Sequence, residues 1–459
     1  MLITRKSIFG LLVALFVLAG FGIASAAQIG GLQSNSGPTL PPTLNNFVSP
    51  AGVGDTLIYN YYNARGNVTF FTVVNTDVSG IRARVRFREA ADIKPNGVCT
   101  PEEARGSFEV LDFDICLSSN DMWAAKIQQI PGGGGKICVL AGDQTMTWFG
   151  PNAGSAIGFF GFTGVPGADA DHCIAFKHGG NGNPITGITA GNTLEGYFEI
   201  IGERTIEAEP TSCNPLDDRD IGAPTNSLFG NAAIISGGSL GTTFTYDATA
   251  IANFAGGDIQ DQPTTSLPTL ASGQDGIRGV NFILAKTQLF SIYDLSNLKT
   301  EFIVTLPTKA LTQVCGADND EFDDNRVTFQ FFDNDEKTTT GSGCVGSPCT
   351  PVQQDNLPFE VNAILPKTGN SIMTSDVEVL PLVQSAFNFG WFVVDLNATS
   401  LSPAIDPAHE NPFPAVAPVA FAQGWPSLGL TLMNPGAFPM QFTTNILATS
   451  EEPIDLSIR

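Results

Sequence analysis

Short runs rich in Val, Ile, Phe, Tyr and Thr recur along the chain, and Gly, Asn, Asp or Pro separates each run from the next. Such runs are typical of β-strands joined by turns. In the first half they are Thr56 to Tyr62, Asn67 to Val74, Ile81 to Glu89, Phe108 to Leu117, Thr145 to Phe149, Cys173 to Lys177 and Leu194 to Ile201. Helical periodicity rarely exceeds two turns, so the sequence predicts an all-β fold with few short helices.

A proline-rich, acidic stretch interrupts this pattern near the middle of the chain. It contains Pro215 and Pro224, and strand-like runs resume after it. A chain of this length divides naturally into two or three domains. We predict two tandem β-sandwich-like domains, residues 27–210 and 227–459, joined by a linker at 211–226.

The first 26 residues have the organisation of a cleavable signal peptide. Arg5-Lys6 form a basic start, Ile8 to Ile23 an apolar stretch and Ala24-Ser25-Ala26 a small-residue cleavage site. No later apolar run approaches the roughly 18 residues that a spanning helix needs, so we expect no transmembrane segment in the mature chain. The leader predicts a secreted protein, located in the periplasm or on the extracellular cell surface.

The composition narrows the classes of partner. Forty-five acidic and 22 basic residues give a formal net charge of −23. A charge of this sign repels nucleic acid, which we exclude as a partner, and favours cations or cationic partners. The 33 Phe residues argue against a disordered chain.

Eight cysteines follow the leader, and an even number in an exported chain predicts up to four disulfides. The candidates are Cys99, Cys116, Cys138, Cys173, Cys213, Cys315, Cys344 and Cys349. The spacing leaves pairings such as Cys99 with Cys138 and Cys116 with Cys173 open, and Cys344 with Cys349 is a plausible local loop. No C-x-x-C motif is present, so redox and zinc-ribbon chemistry are not expected.

One run carries arginine at every second position. The four residues are Arg82, Arg84, Arg86 and Arg88. Apolar residues alternate with them, and Asp112 and Asp114 share one parity in the next run, so a hairpin would place aspartates beside arginines. Two interpretations are open. The arginines form a recognition strip for an anionic glycan or an acidic neighbouring subunit, or they belong to a charged sheet face whose groups pair with one another.

An acidic cluster precedes the run that begins at Arg326. Its members are Asp318, Asp320, Glu321, Asp323 and Asp324. Calcium takes six to eight oxygen ligands, and carboxylates in loops supply them. The cluster is a candidate calcium site, and a solvated acidic loop is the alternative. Calcium is the only cofactor that the sequence suggests.

Catalytic signatures are missing from the sequence. Only His172, His178 and His409 are available for acid–base or metal chemistry, and no residue is predicted to be catalytic or to bind an organic cofactor. Four tryptophans are candidates either for sugar stacking or for the core: Trp123, Trp148, Trp391 and Trp425.

Several strings of the chain resemble those of an uncharacterised group of secreted bacterial proteins. They are LIYNYYN (57–63), FFTVVNTD (70–77), RVRFREA (84–90), VLDFDICLSSNDMW (110–123) and EGYFEII (195–201). The resemblance is strongest before residue 210 and implies a surface-layer or envelope location. It assigns no role to any residue.

Together these observations predict an exported, non-enzymatic structural protein of the cell surface. We expect it to be surface-layer-like or envelope-associated and to associate with itself, through exposed sheet edges or loops, or with other envelope components. The alternative is a calcium-stabilised glycan-binding module or glycan hydrolase, for which the partner is a glycan.

Overall fold

The computed structural model describes residues 46–90, 109–131, 133–149, 159–163, 165, 168–176, 193–214, 220–236, 243–254, 270, 283–293, 299–307, 326–333, 352–357, 359–366, 372–373, 375, 377–379, 389–396, 427–434 and 442–446. The predicted leader at 1–26 and the acidic cluster at 318–324 lie outside these ranges. The described ranges contain no α-helix, and none of their segments is a helix able to cross a membrane.

The predicted all-β class is confirmed. The strands are β1 (Phe47–Val48), β2 (Thr56–Asn63), β3 (Asn67–Asn75), β4 (Gly80–Glu89), β5 (Glu109–Leu117), β6 (Met122–Gln129), β7 (Gly135–Val139), β8 (Met146–Trp148), β9 (Phe159–Phe160), β10 (Cys173–Ala175), β11 (Glu195–Ile206), β12 (Asp220–Gly222), β13 (Leu228–Ser236), β14 (Thr243–Asp247), β15 (Thr249–Ala252), β16 (Thr287–Tyr293), β17 (Lys299–Thr305), β18 (Arg326–Asp333), β19 (Val352–Asn356), β20 (Val361–Ile364), β21 (Glu378–Val379), β22 (Phe389–Asp395), β23 (Leu428–Asn434) and β24 (Phe442–Ile446).

Four sheets contain these strands. The nine-stranded sheet has the order β1-β15-β2-β11-β4-β5-β8-β9, with β12 beside β11, and the six-stranded sheet has the order β10-β7-β6-β3-β13-β14. The five-stranded sheet runs β21-β20-β17-β23-β24 and the four-stranded sheet β16-β22-β18-β19. Only β20 and β21 pair in parallel among the described strands.

The nine- and six-stranded sheets form the first sandwich. Its core is a cluster of aromatic rings contributed by both sheets. Phe198 of β11 stacks on Tyr59 of β2 at 4.1 Å between ring centroids, and Phe71 of β3 meets Phe198 at 4.6 Å and Trp123 of β6 at 5.3 Å. Period-two alternation supplies these rings, because one face of each strand points at the facing sheet.

The first sandwich extends beyond the linker that the sequence predicts. β13 pairs along its whole length with β3, and β15 pairs with β2, so strands between residues 228 and 252 complete both sheets of the sandwich. The predicted second domain, residues 227–459, would include β13 and β15. Their hydrogen-bonded partners β3 and β2 lie in the first sandwich. The physical reason is that β12 still pairs with β11 of the nine-stranded sheet, and the chain then passes to β13 in the six-stranded sheet of the same sandwich.

The five- and four-stranded sheets enclose a second aromatic core. Phe302 of β17 lies 4.8 Å from Phe290 of β16 and 4.8 Å from Phe392 of β22, measured between ring centroids. Phe331 of β18 stacks on Phe392 at 5.4 Å. These residues have at most 1% of their surface exposed, so the second pair of sheets is also sandwich-like.

The two sandwiches pack against each other. Ile303 of β17 and Leu430 of β23 point away from the second core and join the apolar cluster of the first sandwich. Thr305 Oγ1 donates a hydrogen bond to the Asn60 carbonyl oxygen at 2.5 Å, and Tyr197 Oη donates to the Pro307 carbonyl oxygen at 2.8 Å. The five-stranded sheet therefore lies on the outer face of the nine-stranded sheet.

Candidate functional site

The alternating arginines lie on β4, near the middle of the nine-stranded sheet. β5 pairs with β4 so that Arg84 faces Asp114 and Arg86 faces Asp112. On the other side of β4, β11 places Glu199 opposite Arg86. Cα partners in an antiparallel pair project to the same face, so the arginines and carboxylates form one charged layer. We call this layer the ion ladder.

Ion pairs connect the members of the ladder. Arg86 contacts Glu199 at 2.5 Å and Glu109 at 2.7 Å. Arg84 contacts Asp114 at 3.1 Å and Asp112 at 3.3 Å, and Arg82 contacts Glu203 at 3.2 Å. All of these distances join a guanidinium nitrogen to a carboxylate oxygen. Each of these arginines therefore has carboxylate partners on a neighbouring strand.

The ladder is buried. The exposed fractions of its arginines are 2% for Arg82, 6% for Arg84, 1% for Arg86 and 8% for Arg88. Groups that are so little exposed do not present a charged strip to a macromolecule in solution. The arrangement therefore favours the interpretation in which the arginines pair with carboxylates of the same sheet. It does not favour a recognition strip for an external partner.

Burial also changes the acidity of the ladder. It raises the pKa of Asp114 to about 8, with Glu203 adding to the rise and Arg84 opposing it. Trp148 of β8 is the register partner of Asp114 and is itself buried, so this end of the layer has an apolar neighbour. Burial alone would lower the pKa of Arg84, but the carboxylates of Asp114 and Asp112 outweigh it and raise that pKa.

The disulfides stabilise the two sheets of the first sandwich separately. Cys116 of β5 is bonded to Cys213, and Cys138 of β7 is bonded to Cys173 of β10. The pairings of Cys99 with Cys138 and of Cys116 with Cys173 are therefore wrong. Cys138 and Cys173 are register partners in the six-stranded sheet, whereas Cys116 lies in the other sheet. The remaining candidates, Cys99, Cys315, Cys344 and Cys349, lie outside the described residues.

A carboxylate of β11 links the two sandwiches. Glu195 Oε2 accepts hydrogen bonds from Tyr61 Oη at 2.9 Å and from Ser375 Oγ at 2.6 Å. Glu195 Oε1 accepts one from Arg65 Nε at 3.0 Å. Tyr61 belongs to the first sandwich and Ser375 lies next to the strands of the second, so the contact between the sandwiches is polar as well as apolar.

A second carboxylate faces the same interface from β17. Glu301 is fully buried, and its Oε2 accepts hydrogen bonds from the backbone N–H groups of Ile372 at 2.8 Å and Met373 at 3.3 Å. Burial raises the pKa of Glu301 to about 7, against those two hydrogen bonds, and the nearby charges of Glu378 and Glu195 add to the rise. Glu301 is therefore an acid that titrates near neutral pH.

Metal and acid–base chemistry find little support in the described ranges. They contain no group of three or more His, Cys, Asp or Glu residues arranged to hold a metal ion. His172 is exposed in the turn before β10, next to a disulfide. The candidate calcium ligands Asp318, Asp320, Glu321, Asp323 and Asp324 lie outside the described residues, as do His178 and His409.

The tryptophans occupy different environments. Trp123 is completely buried in the first core and Trp148 is 3% exposed, whereas Trp391 of β22 is 37% exposed. Trp425 lies outside the described residues. Of the three described tryptophans, only Trp391 can present its ring to a partner.

Trp391 belongs to an aromatic patch on the outer face of the four-stranded sheet. We define the patch by Trp391 and Phe389 of β22, Phe332 of β18 and Tyr293 of β16. Trp391 and Phe332 are register partners whose rings stack at 3.9 Å between centroids with 7° between planes. Tyr293 and Phe389 form the next rung, edge to face at 6.3 Å.

The sequence did not predict most of the residues that complete the ion ladder and the aromatic patch. Glu199 and Glu203 of the ladder lie more than 80 positions from Asp114, and no local pattern names their strand as a partner of β4. Phe389 and Trp391 alternate within one run, which is the signal for a shared face. Tyr293 joins them only through pairing of β16 with β22.

Comparison with known proteins found no match. No protein-family model, no curated protein and no solved structure is significantly similar to this chain.

Proposed function

We propose that this chain is an exported, non-enzymatic structural protein of the cell surface, surface-layer-like or envelope-associated, that associates with copies of itself. The two disulfides support an extracytoplasmic location, because disulfides persist in oxidising compartments. The charged ladder supports a structural role, because its ionic groups are used to join strands.

The observation that carries self-association is the edge strand β16. Among the described strands it lies at the end of the four-stranded sheet, and all seven of its residues pair with β22 without a register shift. Its sequence, TQLFSIY, has no charge and no proline. Natural proteins protect sheet edges with short strands, charges, prolines or bulges, and β16 has none of these protections.

The other described edges differ from β16. β1, β9, β10 and β21 have two or three residues each, β14 and β24 lie against each other, and β19 carries Asp355. Ser291 and Tyr293 of β16 are exposed on the face of the sheet, and no described strand pairs with the other side of β16. A strand with a free edge can pair with an extended strand of another molecule.

The negative net charge of the chain should make self-association depend on ionic strength. Copies of a chain whose full sequence carries −23 repel one another at long range, and at 0.1 M ionic strength salt largely screens charges that are more than about 10 Å apart. Contact through an uncharged edge avoids direct juxtaposition of like charges. Self-association should therefore strengthen as ionic strength rises.

Light scattering after gel filtration, together with negative-stain microscopy, tests this proposal on the mature chain in low and high salt, with and without calcium. We expect dimers or larger assemblies of the wild type. Leu289→Lys places a charge on the edge strand and should give monomers. Val78→Lys, at a turn residue that is 75% exposed, is the matched control and should assemble as the wild type does. A wild type that is monomeric under all conditions, or that fractionates away from the cell surface, would contradict the proposal.

A further inference from the structure

The stacked pair in the aromatic patch stands upright on its sheet. Neighbouring strands lie about 4.8 Å apart. Trp391 and Phe332 are directly opposite on neighbouring strands, and their rings are parallel at 3.9 Å, so the line between the ring centres follows the direction from strand to strand. One face of the indole is therefore covered by Phe332, and the other face is directed toward β16.

A small, exposed residue lies below that second face. Ser291 of β16 is the register partner of Trp391 and is exposed. Tyr293, 41% exposed, stands one rung further along the same strand. Beyond Ser291 the described part of the sheet ends, because no described strand lies on the other side of β16. The indole face, the Ser291 hydroxyl and the Tyr293 ring thus border an open step at the sheet edge.

The size of the step matches a small ligand unit. Large aromatic side chains have roughly 200 Å² of surface. The exposed fractions of 37% for Trp391 and 41% for Tyr293 correspond to about 80 Å² each. A stable protein interface needs about 800 Å² from each partner, so these rings alone do not provide one.

The charge around the step matches a neutral ligand. Among the described positions on the outer face of β16, β18 and β22, two carry a formal charge, namely Arg326 at the start of β18 and Asp395 of β22. Asp395 lies four residues from Trp391 along β22, which is roughly 13 Å. Arg326 lies six residues from Phe332 along β18, which is roughly 20 Å, so neither charge borders the step. The net charge of −23 also repels an anionic sugar.

We propose that this step binds a neutral pyranose ring of a glycan, with the free indole face of Trp391 as its stacking platform. The C–H groups on one face of a pyranose are weakly positive and fit the negative face of an aromatic ring. The hydroxyls of Ser291 and Tyr293 can donate and accept hydrogen bonds with the hydroxyls of the sugar. The inference is independent of self-association and concerns a different property of the same sheet.

Affinity electrophoresis of the mature protein tests the site in gels that contain neutral polysaccharides, namely a β-glucan, a mannan and a galactan, or the anionic polygalacturonate. We expect at least one neutral polymer to retard the wild type and polygalacturonate to leave it unretarded. Trp391→Ala should weaken the binding at least tenfold and Ser291→Ala about threefold. Met122→Ala, which removes an apolar side chain 52% exposed on the first sandwich, is the matched control and should bind as the wild type does.

Thermal unfolding of each variant establishes that the fold is retained, and light scattering records its oligomeric state. Absence of retardation by all neutral polymers would overturn the proposal, as would equal retardation of the wild type and Trp391→Ala. A Trp391→Ala variant that changes only the oligomeric state would identify a second copy of the chain as the occupant. Leu289→Lys monomers that still bind glycan would separate this site from the self-association edge.

Discussion

Arg86 is the most buried arginine of the ion ladder, and it joins β4 to both neighbouring strands. Its partners are Glu199 at 2.5 Å and Glu109 at 2.7 Å. Burying a charge is costly, and its attraction to a buried partner offsets the cost only while both partners remain. The net contribution of Arg86 to the free energy of unfolding therefore depends on whether its carboxylate partners are present.

We predict that Arg86→Met lowers the free energy of unfolding by about 3–5 kcal/mol, because it leaves Glu199 buried without its partner. Guanidinium denaturation monitored by circular dichroism measures the change. Lys136→Met removes the 3.0 Å pair with the exposed Asp169 and should cost at most about 1 kcal/mol. The double variant Arg86→Met with Glu199→Leu should recover most of the loss. Equal effects of the two single variants would contradict a structural role for the ladder.

The ion ladder also shows which of its properties the residue pattern predicts and which it does not. Alternation along β4 and β5 predicts that Arg84 and Asp114 share a face, because side chains of a strand alternate with period two. The same alternation does not say whether that face is exposed. Burial depends on segments far away in the chain, and it is the largest cause of the raised pKa of Asp114.

Strands that are close in sequence were predictable as elements, whereas their distant partners were not. The runs at β2, β3, β4 and β5 have the composition of strands, and hairpin pairing of β4 with β5 follows from their order. Pairing of β3 with β13 spans more than 150 residues, and no turn signal connects the two. The acidic stretch therefore predicted a domain boundary, although the strands that follow it complete both sheets of the first sandwich.

The two described disulfides join elements at different separations. Cys116 and Cys213 are 97 residues apart, and Cys138 and Cys173 are 35 residues apart. A cross-link restricts the unfolded chain more when it closes a longer loop, which gives about 5 kcal/mol for the first bond and about 4 kcal/mol for the second.

We predict that Cys116→Ala with Cys213→Ala destabilises the protein more than Cys138→Ala with Cys173→Ala, by about 1 kcal/mol. Urea denaturation of the two double variants measures the difference. The wild type treated with a reductant is the control and should lose at least as much stability as either variant. A larger loss from the bond between β7 and β10 would mean that local packing, and not loop closure, determines the effect.

At the scale of the whole molecule, the contact between the sandwiches includes an acid that titrates near neutral pH. Glu301 has a folded pKa of about 7 against an ordinary value of 4.5. Because the folded pKa is raised, the protonated form favours folding. Its contribution is complete below about pH 4.5 and is lost as the pH rises through 7.

We predict that Glu301→Gln flattens this pH dependence. The glutamine oxygen can still accept the hydrogen bonds from Ile372 and Met373, but the side chain does not ionise. Between pH 5 and pH 8 the wild type should lose about 2 kcal/mol more stability than the variant. Denaturation curves across this range provide the measurement, with the exposed Glu209→Gln as control. Parallel pH profiles for the wild type and Glu301→Gln would show that Glu301 is ionised in the folded protein without cost.

The return of β13 and β15 to the first sandwich has a consequence for the order in which the chain acquires structure. A polypeptide is synthesised and exported from its amino terminus, so β2 and β3 emerge long before β13 and β15. β2 lies between β15 and β11, and β3 lies between β13 and β6. Neither strand has both neighbours until residues 228–252 have been made, which is more than half of the chain. Until then the nascent amino-terminal half keeps open edges, and chaperones that hold unpaired strands would act on this protein during that interval.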